Sequence, residues 1–227
     1  MSYDAVIFDL DGTLLESTAD HLEWMYTAVE EALEELDDDL DAVELPHSEL
    51  LTLAGIEGYE NFEDKCRTLE INDEELWFYV SHYRAKGKLE LLEEDLLELK
   101  PEVKDTLKFL RENESSLAVV SNAPDPTVDD VLRFFDLDFL LDFFRGITDL
   151  DDLEKRKPNP AHIELTVEEL GVENVLYVGD SNVDVEAAEK IGVDSAIIGE
   201  NRNATFELEK LSDLRSKVQD DLHQDEI

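Results

Sequence analysis

Basic residues are what this chain has least of. Nineteen Lys and Arg stand against 60 Asp and Glu in 227 residues, a formal net charge of −41. A field of that sign repels nucleic-acid backbones and anionic lipid headgroups, so neither is expected as a partner. Cysteine is nearly missing as well. Cys66 stands alone, which rules out an internal disulfide and suits a reducing compartment. It falls in a predicted helix and reads as a core thiol rather than a nucleophile. No apolar run reaches the roughly 18 residues that suggest a membrane span. The first residues lack a basic region followed by an apolar stretch of about 7–15 residues, so no signal peptide is expected and the location reads as cytoplasmic. The five histidines, at positions 21, 47, 82, 162 and 223, show no metal-ligand spacing.

What is present is enough to fold. Hydrophobic residues make up 42% of the chain, and a chain of this length buries roughly 70–75% of its unfolded surface. The acids run along the whole chain, with clusters at Asp37 to Asp39, Asp149 to Asp152 and Asp220-Asp221. Their mutual repulsion opposes compaction at low ionic strength. At about 1 M salt the screening length shrinks to about 3 Å and the repulsion fades. In this the composition resembles that of proteins from extreme halophiles.

Four short apolar runs read as buried strands: Ala5–Phe8, Ser116–Val120, Val175–Val178 and Ser195–Ile198. They are rich in Val and Ile and lack polar alternation, the pattern of strands covered on both faces. Helical spacing fills Glu102–Glu112, Pro160–Leu170 and Val183–Ile191. The alternation predicts an α/β fold, a Rossmann-like parallel sheet with helices on both sides. Residues 17–96 break it. Thr18–Leu36 and Asp73–Leu89 read as long amphipathic helices, and no strand stands out. We read 1–16 and 97–227 as one discontinuous α/β core and 17–96 as an all-α insert with its own small core. Pro101 is expected in the first turn of a helix, and 219–227 as a frayed tail.

The first strand ends in Phe8-Asp-Leu-Asp-Gly-Thr13. Residues i and i+2 of a strand share a face, so Asp9 and Asp11 converge at its carboxyl end, where open α/β sheets bind ligands. Two converging carboxylates need a cation or a shared proton. A hard divalent ion such as Mg²⁺ suits them. The second strand ends in Ser121-Asn122, whose hydroxyl and following amides can serve an anion. Lys157 precedes Pro158 at a helix entrance. The next strand stops at Gly179-Asp180, with Asp184 a turn later. The four letters Phe135-Asp-Leu-Asp138 repeat those of the first strand end but lack Gly-Thr. That copy reads as a helix-to-loop segment packing Phe134, Phe135 and Phe139.

D-x-D-G-T, then hydrophobic-S-N, then K-P, then G-D-S-x-x-D, in this order, resemble the motifs of the haloacid-dehalogenase superfamily. The insert resembles the helical cap of its phosphoglycolate-phosphatase and β-phosphoglucomutase branch. The resemblance implies roles. Asp9 would be the nucleophile and form an aspartyl-phosphate, and Asp11 the acid and then the base. Ser121 and Lys157 would hold the transferring phosphoryl group, with Gly12, Thr13 and Asn122 beside it. Mg²⁺ would lie on Asp9, Asp11 (through its carbonyl) and Asp180, and Asp184 would orient a bound water or Lys157. The implied reaction is Mg²⁺-dependent hydrolysis of a small phosphate ester, of phosphoglycolate type, by a monomer or weak homodimer. A phosphomutase uses the same chemistry. A dehalogenase is disfavoured because it needs no acid at Asp11, and an inactive binding protein because the motif set is complete. Arg84, Lys86 and Lys88 form the basic cluster of the insert. They read either as a solvated face or, Arg84 first, as a contact for a second anionic group of the substrate. Lys155 and Arg156 read as solvent-facing.

The charge carries a prediction. Melting temperature should rise steeply between low and molar KCl. A flat series would overturn the reading of this chain as adapted to high salt.

Overall fold

A computed structural model describes residues 3–17, 22–36, 45–201 and 203–222. Strand β1 (Ala5–Phe8) and the short β2 (Leu15–Ser17) come first. Four helices follow: α1 (Glu23–Leu36), α2 (His47–Leu53), α3 (Tyr59–Leu69) and α4 (Asp73–Glu93). The chain returns through β3 (Leu97–Leu99) to α5 (Val103–Glu112), β4 (Ser116–Pro124), α6 (Asp125–Phe134) and β5 (Phe143–Ile147). It closes with α7 (Ala161–Leu170), β6 (Val175–Gly179), α8 (Asn182–Lys190), β7 (Asp194–Ile198), β8 (Phe206–Leu208) and α9 (Leu214–Leu222).

Six strands form one parallel sheet in the order β5-β4-β1-β6-β7-β8. The period of two along each strand divides the core between its faces. Val6 and Phe8 point to one face, with Leu117, Val119, Leu176 and Val178, against α5, α6 and α9. Ala5 and Ile7 point to the other, with Ala118, Val120 and Tyr177, against α7 and α8. That is why the strands read as continuous apolar runs. From β1 the sheet grows one way through β4 and β5, and from β6 the other way through β7 and β8. The crevice at this reversal is the general ligand position in open α/β sheets.

The four expected strands stand where they were placed, and four further strands were not expected. β2 and β3 are three residues each and pair antiparallel, Leu15 with Leu99 and Ser17 with Leu97, where the chain leaves for the helices and returns. β8 is also three residues long. β5 is an edge strand (FFRGI), interrupted by Arg145 and Gly146. Runs this short carry no readable period.

The helical insert does not close a core of its own. Val29, Leu33, Leu53, Phe62, Trp77 and Val80 pack with Ile147, the last residue of the edge strand, and with Leu150 and Leu153 beyond it. The Phe135–Asp138 segment differs too. Leu137 is its buried residue, while Phe134 and Phe139 are 47% and 80% exposed. Pro101 sits in a turn two residues before α5, and Glu102 takes φ +64° to enter that helix. Helix α9 runs on to Leu222, into the stretch expected to fray. Residues 223–227, and residues 18–21 of the expected first helix, lie outside the described residues.

Phe62 is fully buried, edge-on to Trp77 at 5.8 Å between centroids. Phe62→Ala should cost about 3–5 kcal/mol in chemical denaturation at molar KCl. Phe78→Ala, on a side chain 68% exposed, should stay within about 0.5 kcal/mol. Equal costs would contradict this division of the insert into core and surface.

Candidate active site

The strand register brings the chemistry together. Phe8 lies level with Val119 on one side and Val178 on the other. Asp9, Ser121 and Asp180 therefore leave the sheet at the same edge, on three adjacent strands. A cavity of about 680 Å³ opens there, and Asp9, Asp11, Ser121, Lys157, Asp180 and Asp184 share its wall. Gly12, Asn122 and Arg84 line it beside them. Thr13 is buried outside that lining and reaches Asp180 Oδ1 with its hydroxyl at 3.4 Å.

Lys157 is the hub. Its Nζ donates to Asp9 Oδ1 at 2.6 Å, to Asp184 Oδ1 at 2.7 Å and to the Tyr177 hydroxyl at 2.7 Å. Tyr177 passes a hydrogen bond on to the carbonyl of Val120 at 3.1 Å. The backbone of Lys157 is clamped by the Asn122 amide, which accepts from Lys157 N at 2.9 Å and donates to Lys157 O at 3.1 Å. Burial pulls the Lys157 ammonium downward, but Asp9, Tyr177 and Asp184 outweigh it and hold it well above its usual range. Asp9 is pushed up to about 7, first by burial, which outweighs Lys157, and further by Asp184 and Asp11. One ammonium shared by two buried carboxylates leaves negative charge in surplus.

Asp180 adds to that surplus. Burial and Asp184 hold it above the usual carboxylate range. Carboxylate oxygens of Asp9, Asp180 and Asp184 lie within 4.8 Å of one another. Asp184 has both oxygens engaged, Oδ1 by Lys157 and Oδ2 by Ser181 N at 3.1 Å and by the Ser181 hydroxyl, at the entrance to α8. Its geometry suits it to orient Lys157. Asp9 and Asp180 are left to offer oxygen to a hard divalent cation, and surplus negative charge with an all-oxygen donor set fits one. Two glycines make the room. A Cβ on Gly12, at φ +81°, would stand 2.1 Å from Asp180 Oδ2, and one on Gly179 would stand 2.4 Å from Asp184 Cβ.

Asp11 is half exposed and ion-paired with Lys88 of α4. The solvated-face reading of the α4 cluster therefore fails for two of its three members. Arg84 and Lys88 are buried, and only Lys86 faces outward, on Glu31. Arg156, expected in solvent, reaches into the same cavity and donates to the carbonyls of Gly55 and Ile56. Lys100, which donates to the carbonyl of Gly12, and Tyr177 were not singled out from the sequence. Arg84 and Lys88 stand four apart on a helix, which puts them on one face. That spacing was the available signal.

The sequence comparisons agree with this geometry. The family model of haloacid dehalogenase-like hydrolases matches residues 6–198, and the chain belongs to that family. A phosphoglycolate phosphatase of Pseudomonas putida is 30% identical over 196 residues, which are 83% of this chain and 66% of that protein. One of Cereibacter sphaeroides is 30% identical over 211 residues, 86% of this chain and 84% of that protein. Among solved structures, the fold matches a HAD phosphatase from Thermococcus onnurineus, with TM-score 0.62, 23% identity and coverage of 95% and 97% of the two chains. It also matches CbbY from Rhodobacter sphaeroides in complex with phosphate, with TM-score 0.65, 20% identity and coverage of 93% and 96%.

Lys157→Met should cost about 3–5 kcal/mol in urea denaturation, because it leaves Asp9 and Asp184 buried without their counter-charge. An unchanged midpoint would mean that the ammonium does not hold this site together.

Proposed function

We propose that this protein is a phosphatase that hydrolyses a small phosphate monoester through a covalent intermediate on Asp9. The observation that carries the reading is one cavity wall shared by Asp9, Asp11, Ser121, Lys157 and Asp180 at the ends of three adjacent strands. Asp9 accepts Lys157 on Oδ1, which turns Oδ2 to the attack. That oxygen bonds to phosphorus as the ester P–O bond breaks. Asp11 gives its proton to the departing alkoxide. It then takes a proton from the water that attacks phosphorus, and the bond from phosphorus to Asp9 breaks to release phosphate. The division replaces one hard displacement by two easier ones.

Ser121 Oγ accepts from Ala123 N at 3.1 Å, which leaves its hydroxyl hydrogen to a phosphoryl oxygen. Lys157 faces the same oxygens with fixed positive charge, the main requirement of phosphoryl transfer. Asp9 and Asp180, with the main-chain carbonyl of Asp11, would hold Mg²⁺, which supplies further positive charge against those oxygens. Asp11 is ion-paired with Lys88 of the insert, which fixes its carboxyl group at the cavity wall. The names of the two relatives support a substrate of phosphoglycolate type.

The test is phosphate release in molar KCl with Mg²⁺ from p-nitrophenyl phosphate, phosphoglycolate, hexose phosphates and nucleoside monophosphates. Wild-type protein should release phosphate from at least one. Asp9→Asn should fall by about a thousandfold or more, and chelation of the metal should stop release. Folded wild-type protein that releases none from any of them would overturn the proposal.

A further inference from the structure

Tyr177 carries a hydroxyl into an apolar layer. On the face of the sheet that meets α7 and α8, it packs with Ala5, Ile7, Ala118, Val120 and Val175 of the strands. It lies level with Ile7 in the strand register and is fully buried. A phenylalanine would fill the same space without burying an oxygen. The interior tolerates that oxygen only where it is hydrogen-bonded, and Tyr177 meets the condition twice. It accepts from Lys157 Nζ at 2.7 Å and donates to the carbonyl of Val120 at 3.1 Å, with Asp184 Oδ1 more distant at 3.5 Å. Burial holds the phenol well above its ordinary range, so the proton that the second bond needs is retained.

The Lys157 ammonium has three hydrogens and, among the described residues, four acceptors. They are Asp9 Oδ1 at 2.6 Å, Asp184 Oδ1 at 2.7 Å, the Tyr177 hydroxyl at 2.7 Å and the carbonyl of Val120 at 3.1 Å. These acceptors do not keep equal strength through the proposed reaction. As Asp9 Oδ2 bonds to phosphorus and the ester P–O bond breaks, the negative charge leaves the Asp9 carboxylate. Its Oδ1 becomes a neutral carbonyl, a weaker partner for an ammonium. Asp184 is then the one carboxylate left on Lys157. Tyr177 supplies a second anchor that adds no negative charge. Through the Val120 carbonyl that anchor is tied to the strand end that carries Ser121.

We propose that Tyr177 is a positioning residue for phosphoryl transfer, whose hydroxyl fixes the direction of the Lys157 ammonium beside Ser121 once Asp9 is committed to phosphorus. The inference rests on the phosphatase reading and deepens it. Tyr177 lies outside the lining of the cavity, so it acts through Lys157 and touches no substrate. In Tyr177→Phe the ammonium keeps Asp9, Asp184 and the Val120 carbonyl, so its charge stays compensated and its direction is what changes. The loss therefore falls on the transition state, where direction matters most, and leaves the ground state nearly untouched.

The test compares two ligands that need no turnover. Inorganic phosphate is tetrahedral, whereas orthovanadate readily takes a fifth ligand and so adopts the geometry of the group in transfer. Calorimetry in molar KCl with Mg²⁺ should show wild-type protein binding vanadate at least about tenfold tighter than phosphate. In Tyr177→Phe, vanadate should bind about tenfold more weakly while phosphate stays within about twofold. A hydroxyl that serves stability alone would lower the urea midpoint and leave the ratio of the two affinities unchanged. That result, a parallel loss of both ligands, or wild-type protein without the preference would overturn the proposal. If Tyr177→Phe fails to fold, p-aminophenylalanine at position 177 keeps the ring and a donor for Val120 but is a poor acceptor, and it should lower the same ratio. Phosphate release from p-nitrophenyl phosphate separates this role from the reading on which it rests. If wild-type protein hydrolyses the ester and Tyr177→Phe keeps its kcat, the positioning role falls and the phosphatase reading stands. If the binding ratio drops as expected while wild-type protein hydrolyses no ester, the phosphatase reading falls and the control of Lys157 by Tyr177 stands.

Discussion

The ammonium of Lys157 sits where three strand ends meet, and most of the site is arranged around it. It binds Asp9 after β1, Asp184 at the entrance to α8 and the Tyr177 hydroxyl in the middle of β6. Each partner is a group that the interior would otherwise reject. A buried carboxylate is tolerated only when it is paired and hydrogen-bonded, and the two carboxylates here share one counter-ion. Other features follow from that constraint. Gly179 must be glycine because Asp184 leans across it toward the lysine, and Asn122 spends both ends of its amide fixing the lysine's backbone. Asp9, the proposed nucleophile, and the lysine that neutralises it are thus held by one network, so the fold and the proposed chemistry depend on the same bonds.

The surplus of negative charge is what gives this network a function. Asp9, Asp180 and Asp184 present three carboxylates against one buried lysine, while Asp11 has its own partner in Lys88. Such a site is incomplete electrostatically and gains from a further cation. It also gains from a phosphoryl group only if that cation is present, because otherwise like charges face each other. Metal and substrate are therefore expected to support each other's binding, with Gly12 leaving the space in which Asp180 can turn toward either.

Much of this was legible from the chain alone, for a physical reason. Parallel strands covered on both faces are written as dense apolar runs, and Ala5–Phe8, Ser116–Val120 and Val175–Val178 end abruptly in polar groups. Position at a strand end is a local property, so Asp9, Ser121 and Asp180 could be placed at one edge without knowing the tertiary structure. What the chain does not write locally was lost. β2, β3 and β8 are too short for any period, and β5 is held as a strand by β4 rather than by its own composition. Phe134 and Phe139 misled because aromatic content is not a record of depth, and Leu137 took the core position instead. The cations were the harder case. Lys88 and Arg156 look like solvated bases in a chain rich in acids. Lys88 is buried and Arg156 half-buried because the insert, which leaves after β2 and returns through β3, folds over the strand ends.

That burial matters because of the charge of the whole molecule. A net −41 opposes the approach of any anionic ligand at low ionic strength, where the field reaches far from the surface. In molar salt the field is cut to a few ångströms, so the surface no longer repels the ligand, but exposed bases no longer attract it either. Attraction then survives only where water and counter-ions are kept out, which requires cations inside the wall of a cavity. Lys157, Lys88 and Arg84 are each buried there, while Lys86 on the same helix as two of them is left on the surface with Glu31. An acidic exterior and a cavity wall that gathers several of the scarce bases beside its carboxylates are consistent parts of one arrangement. The first would keep the protein dispersed in salt, and the second places scarce positive charge where salt would not erase it.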